Sequence, residues 1–122
     1  MIALRGATTI SCNCEEEIKK CSVELFDELI KRNNLKLDKI LTIEFSCTRD
    51  ITKSYPGKFI RENFDVKQAA IMHFNEMYVE DNVEAYIPLC IRILILADTN
   101  QESREFVYLN NARNLRKDLF SE

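Results

Sequence analysis

Cys90-Ile91-Arg92-Ile93-Leu94-Ile95-Leu96-Ala97 is the most apolar run in the chain, and its reading decides the fold. Its length and branched side chains suit a β-strand buried on both faces. Arg92 sits inside it. Taking a guanidinium out of water costs on the order of several kcal/mol unless anions and hydrogen bonds compensate. Something anionic should therefore meet Arg92. It is either a carboxylate of the chain, with Glu44 and Glu76 the candidates, or a bound ligand.

Working outward, Ile2–Ile10 alternates as a strand, with Ile2 and Leu4 on one face and Ala3 and Arg5 on the other. Glu15–Arg32 is the clearest helix: Ile18, Cys21, Leu25 and Leu29 recur at helical spacing, joined by Phe26 and Ile30. Asn13 is the expected N-cap, with Glu16 three residues on, and Asn33-Asn34 ends the helix. Glu15, Glu16 and Glu17 complement the positive end of the helix dipole. They read as a solvated cap rather than an acid–base pair.

Lys39–Cys47 reads as a strand, with Ile40, Thr42, Glu44 and Ser46 alternating against Leu41, Ile43, Phe45 and Cys47. Pro56 opens a second helix through Asn63. Val66–Glu76 reads as a third strand, and Tyr78–Leu89 as a connector with one helical turn after Asp81-Asn82. Past the Arg92 strand, a turn or short helix at Gln101–Arg104 leads to a last strand, Glu105–Leu109, and the tail Asn110–Glu122.

Short strands with two main helices make an α+β fold, expected as one domain over residues 1–122. Two helices cover one face of a sheet whose strands look apolar on both. A homo-oligomer packed sheet on sheet is the economical cover for the other face.

Composition excludes several function classes. A net charge of −3 argues against nucleic acid, whose binders carry a basic stripe. No run spans a bilayer, and Met1–Ile10 lacks an apolar signal core, so a cytoplasmic protein without membrane partners is expected. The five cysteines (Cys12, Cys14, Cys21, Cys47, Cys90) fit neither a disulfide framework nor a metal set and are expected to be reduced. With only Gly6 and Gly57, no phosphate loop exists, and no metal or cofactor is called for.

The cations cluster by position. Arg5 and Arg92 lie in strands, Lys58 and Arg61 share a helix, Arg116 lies on the tail, and Tyr108 adds a hydroxyl. In an acidic protein this set suits a small dianionic ligand, because the planar Arg fork matches a carboxylate. Glu76 supplies an acceptor. The lone His73 has no orienting partner at fixed spacing, so neither a catalytic triad nor an acid–base role is expected for it.

At this point a family resemblance enters. Arg5-Gly6-Ala7-Thr8-Thr9, Glu15-Glu16-Glu17-Ile18, Tyr55-Pro56-Gly57-Lys58 with Arg61-Glu62, and Asn75-Glu76-Met77 are joined by Cys90-Ile91-Arg92 and Val107-Tyr108-Leu109 with Ala112 and Leu115-Arg116. In this order, over almost the whole chain, they resemble the trimeric α+β (AroH) class of chorismate mutase. The resemblance implies a ferredoxin-like, chorismate mutase-like protomer in a homotrimeric pseudo-α/β-barrel. Its substrate would be the dicarboxylate chorismate and its product prephenate, in aromatic amino-acid biosynthesis.

It also implies roles. Arg92 would face the ether oxygen and a carboxylate, and Glu76 the ring hydroxyl. Arg5 and Tyr108 would hold the side-chain carboxylate. Tyr55, Gly57, Lys58 and Arg61 would come from the neighbouring subunit, with Ile71, Met72, His73 and Leu115 packing around the ligand and Arg116 near the mouth. His73 departs from the family pattern, which has a smaller residue there, often Cys. Two other readings stay open: a non-catalytic or regulatory carboxylate-binding trimer, and an Arg-anchored imine deaminase-like trimer.

Overall fold

The structure is a computed structural model that describes residues 1–80 and 86–119, residues 116–119 by backbone alone. The chain runs β1 (Ile2–Thr9), α1 (Glu15–Arg32), a 3-10 turn (Leu37–Lys39), β2 (Ile40–Cys47), α2 (Pro56–Asn63), β3 (Ala70–Asn75), β4 (Cys90–Ala97), β5 (Val107–Tyr108) and a 3-10 helix (Asn110–Leu119). The strands form one sheet in the order β3-β2-β4-β1-β5, with β4, the Arg92 strand, in the middle. It is antiparallel to both neighbours, while the β2–β3 and β1–β5 pairs are parallel.

Both helices pack on one face. Ile91, Ile93 and Ile95 of β4 bury there with Ile43 and Phe45 of β2, against Ile18, Leu25 and Leu29 of α1 and Ile60 of α2. Gly6 permits the close approach of β5. A Cβ there would lie 2.8 Å from the Val107 carbonyl oxygen and 3.1 Å from methyls of Leu25 and Leu29.

The opposite face is covered only in part, where Ala7, Cys90 and Tyr108 bury with Ala112 of the C-terminal 3-10 helix. Register places Arg5, Leu94, Glu44 and Met72 in one row across it, and Tyr108, Ala7, Arg92, Ser46 and Phe74 in the next. Met72, Phe74 and Leu94 stand exposed on this face. Within one chain the Arg92 strand buries Ile91, Ile93 and Ile95 on its helix face, while on the other face Cys90 is buried, Arg92 half-buried and Leu94 exposed.

Other boundaries also move. The third strand begins at Ala70 instead of Val66, because Phe64–Ala69 turns back on itself through Val66 N–H to Phe64 and Ala69 N–H to Val66. The last strand shortens to Val107–Tyr108, and Gln101–Arg104 forms no helix. The helical turn expected after Asp81-Asn82 falls outside the described residues.

Cys14, not Asn13, is the N-cap of α1, and no side chain caps it. Asn13 instead clamps Thr52, donating to its hydroxyl at 2.8 Å and accepting from its N–H at 3.0 Å. Glu17 reaches back to accept from the Ser11 hydroxyl at 2.8 Å and the Ser11 N–H at 3.2 Å, which lowers its pKa. Asn34 ends the helix at φ 47°, in the left-handed region that asparagine tolerates.

Cys12 and Cys14 are joined as a disulfide, which corrects the expectation of five reduced thiols; Cys21, Cys47 and Cys90 are free and buried. Burial pushes the Cys47 thiol up to about 12 and Cys90 to about 11, so both stay protonated and inert. Among the described residues no helix is long and apolar enough to cross a membrane.

Candidate active site

Arg92 meets Glu76, the second of the two carboxylates expected for it. Glu76 Oε1 lies 3.2 Å from Arg92 Nε and accepts a hydrogen bond from Ser46 Oγ at 2.9 Å. The Glu76 backbone is held in turn, its N–H donating to the Cys47 carbonyl at 2.7 Å. The carboxylate sits at ion-pair distance but off the N–H direction. The buried Arg92 Nε is therefore left without a hydrogen bond among the described residues.

About a third of the Arg92 side chain remains exposed (33%), so the pair lies at the floor of an open surface rather than in the core. The start of β4 is fixed from behind. Asp50 accepts from Leu89 N–H with both oxygens, at 3.0 and 3.2 Å, holding Leu89 at φ 51° just before the strand. The Thr48 hydroxyl takes the Cys90 N–H at 3.0 Å.

Tyr108 stands in the same row as Arg92, with only the small Ala7 between them. Its hydroxyl is buried and has no hydrogen-bond partner among the described residues. Arg5, Ala7, Arg92, Tyr108 and Leu115 enclose a cavity of about 90 Å³, and Glu76, Arg92, Thr48 and Ile87 border another of about 150 Å³. Two buried donors without acceptors, flanked by Arg5, make this a place for an anion with oxygen ligands.

The RGATT segment is legible in these terms. Arg5 flanks the cavity, Gly6 admits β5 and Ala7 leaves the room. The Thr8 hydroxyl accepts from Asn110 and the Thr9 hydroxyl from the Asn111 N–H, at 3.0 and 3.1 Å, tethering the tail that carries Leu115.

The remaining expected residues gather elsewhere. Tyr55, Lys58 and His73 line a cavity of about 530 Å³ at the β3–α2 edge, with Phe74 and Asn75. Gly57 and Ile71 lie beside His73, and Met72 is on the open face. Lys58 pairs there with Glu15 at 3.4 Å, both side chains largely exposed. Arg61 is exposed on α2, close enough to His73 to lower its pKa. The side chain of Arg116 lies outside the described residues.

The structure therefore splits the expected set in two. The larger cavity holds Lys58 but neither Arg92 nor Glu76. The two cavities around Arg92 are smaller than the roughly 300–1,000 Å³ of ordinary ligand pockets.

Two findings were not anticipated. Ser46 is the residue that orients Glu76, and its signal was present in the sequence as a polar side chain on the Arg92 face of β2. His73 does have a partner, the Gly57 N–H, which donates to Nε2 at 2.9 Å. Sequence spacing could not reveal it, because the donor is backbone on another element.

The family model for chorismate mutase type I matches residues 1–119. This chain belongs to the chorismate mutase type I family. It is 30% identical over 118 residues to chorismate mutase AroH of Bacillus subtilis, covering 95% of this chain and 90% of that one. It is 28% identical over 121 residues to chorismate mutase AroH of Thermus thermophilus, covering 97% and 95%. A solved chorismate mutase from Clostridium thermocellum superposes with a TM-score of 0.85 at 32% identity, covering 94% of this chain and 100% of that one.

The five-stranded mixed sheet with two main helices is the AroH chorismate mutase fold. The activity is accordingly that of a chorismate mutase, an isomerase of aromatic amino-acid biosynthesis. The carboxylate-binder and imine-deaminase readings are not favoured. Chorismate mutase type I membership implies chorismate as substrate and prephenate as product.

Proposed function

We propose that the chain rearranges chorismate to prephenate in clefts built from two subunits of a homotrimer, by electrostatic stabilisation and conformer selection. The observation that carries this reading is the row Tyr108–Ala7–Arg92–Ser46, with its oriented Glu76 and its two buried donors lacking acceptors.

The rearrangement breaks one C–O bond and forms one C–C bond. It needs no nucleophile, general acid or base. What a protein supplies is a fixed environment for the charge that appears. Negative charge grows on the ether oxygen as the bond breaks, so a fixed cation there stabilises the transition state more than the substrate. Arg92 takes that role, because its guanidinium does not deprotonate and presents a planar fork. Glu76 accepts from the ring hydroxyl while Ser46 holds its other side. Arg5 and Tyr108 bind the side-chain carboxylate, and this two-point grip restricts the flexible side chain to the reactive chair-like conformer.

The second half of each site comes from the neighbouring subunit: Tyr55, Gly57, Lys58 and Arg61, with Ile71, Met72 and His73. Leu115 packs against the ligand and Arg116 lies near the mouth. The division of these residues between two separate cavities of one chain supports this reading, as does the exposure of Met72, Phe74 and Leu94 on the open sheet face. A trimer in the cytoplasm completes the picture.

The test is direct. Purified protein added to chorismate should abolish its absorbance with first-order prephenate formation, and sedimentation should give a trimer. A monomer with full activity would rule out shared clefts. An inactive trimer that still binds chorismate would restore the binder reading.

A further inference from the structure

We propose that His73 is a positioning residue: by accepting the Gly57 N–H at Nε2, its imidazole fixes the first turn of α2 and with it the reach of Lys58. The inference rests on the reading that Lys58 belongs to the substrate site.

The ring is tightly located. It stacks on Phe45, with centroids 5.3 Å apart and planes 11° from parallel, and Tyr55 closes over it at 5.0 Å. Its Nε2 accepts the Gly57 N–H at 2.9 Å. That N–H is one of the donors at the start of α2 that no helical carbonyl can satisfy, and Tyr55, the N-cap, offers no side-chain bond. Gly57 is what lets the ring sit there. A Cβ at this position would lie 2.8 Å from His73 Cε1 and Nε2 and 2.7 Å from Ile71 Cγ2. Lys58 is the next residue, and it lines the same 530 Å³ cavity as His73.

An imidazole that accepts at Nε2 carries its proton on Nδ1 and must be neutral, since imidazolium has only donors. The surroundings agree. Burial, and then the Arg61 charge, lower the His73 pKa from the ordinary 6.5. Phe45 of β2 and Tyr55 of the loop before α2 pack on the ring, the Arg61 charge of α2 acts on it, and Lys58 of α2 and Cys47 of β2 line the same cavity. Its one hydrogen bond among the described residues is to the Gly57 amide, so no carboxylate favours its charged form.

The sign follows. The unfolded chain binds the proton at a higher pH than the folded one. The stabilisation is therefore complete above about 6.5 and is lost as pH falls through the lowered folded value. Acidification breaks the Gly57 contact and adds a cation beside Lys58 and Arg61. Binding through Lys58 weakens while the Arg92 machinery is untouched.

The test uses the intact enzyme and exploits the single histidine of the chain. Imidazole nitrogen resonances should titrate below 6.5 with the Nδ1–H tautomer at neutral pH. KM for chorismate should rise about five-fold as pH falls through that titration, with kcat level; five-fold is the scale of one hydrogen bond. His73→Gln keeps an acceptor and should give a lower KM than His73→Leu, without the pH dependence. His73→Leu should raise KM about five-fold at every pH. A titration at or above 6.5, the other tautomer, or a folded His73→Leu with wild-type KM would overturn the proposal. Lys58→Ala separates the two readings. An unchanged KM there removes Lys58 from the site, whereas a raised KM beside a neutral His73→Leu removes only the positioning role.

Discussion

Glu76 Oε1 is shared between two neighbours, accepting from Ser46 Oγ at 2.9 Å while facing Arg92 Nε at 3.2 Å. The serine pins the carboxylate from β2, so the arginine on β4 is approached but not saturated. A carboxylate in full bidentate contact would neutralise Arg92 and leave it little to offer a substrate. This geometry instead keeps an N–H of Arg92 without an acceptor.

Ser46→Ala should therefore misplace Glu76 rather than unfold the protein. Loss of one hydrogen bond of about 1 kcal/mol corresponds to a fall of about five-fold in kcat/KM. Steady-state kinetics beside a thermal melt checks this. A variant with full activity would show that Glu76 is held well enough by its backbone bond to Cys47.

Tyr108→Phe should move stability and binding in opposite directions. The hydroxyl is buried without a partner among the described residues, and such an orphan costs about 1–3 kcal/mol in the free protein. Removing it should raise the melting temperature while weakening chorismate binding. Calorimetric melts with and without ligand read both. A lower melting temperature in the free protein would mean that the hydroxyl is satisfied in solution.

Mixing impaired Lys58→Ala chains with impaired Arg92→Ala chains should raise the activity above that of either parent, because some hybrid clefts draw an intact residue from each. Refolding the mixture and measuring turnover against each parent decides the matter. No recovery in a mixed trimer would place both residues in one subunit's site.

Much of this was legible in the sequence, for reasons specific to each element. α1 was clear because Ile18, Cys21, Leu25 and Leu29 make one helical stripe, and both its ends fell where the spacing put them. α2 was marked by Pro56. Charge alone narrowed the partner of Arg92 to Glu44, Glu76 or a ligand, since an arginine in an apolar strand demands an anion, and the choice of Glu76 came from the structure. Only the N-cap of α1 was misread, because Asn13, a good cap by residue type, is taken by Thr52 across the chain. The third strand was read too long because Val66 is buried as a strand residue would be, yet in a turn. The Gly57–His73 contact was hidden because a backbone amide leaves no mark in a residue pattern. That one sheet face would lack a cover within the chain was legible, since two helices can cover only one face, and Met72, Phe74 and Leu94 stand exposed on the other.

The central claim is that Arg92 acts on the transition state rather than on the fold, and turnover at saturating chorismate for wild type, Arg92→Lys and Arg92→Ala tests it most directly. Arg92 is one third exposed and incompletely paired, so the variants should fold with melting temperatures close to wild type. Lysine keeps the charge but loses the planar fork and the reach, so both variants should lose on the order of 10²–10³ in kcat. An Arg92→Lys enzyme turning over nearly as fast as wild type, or variants that simply unfold, would make Arg92 a structural partner of Glu76 and contradict the account.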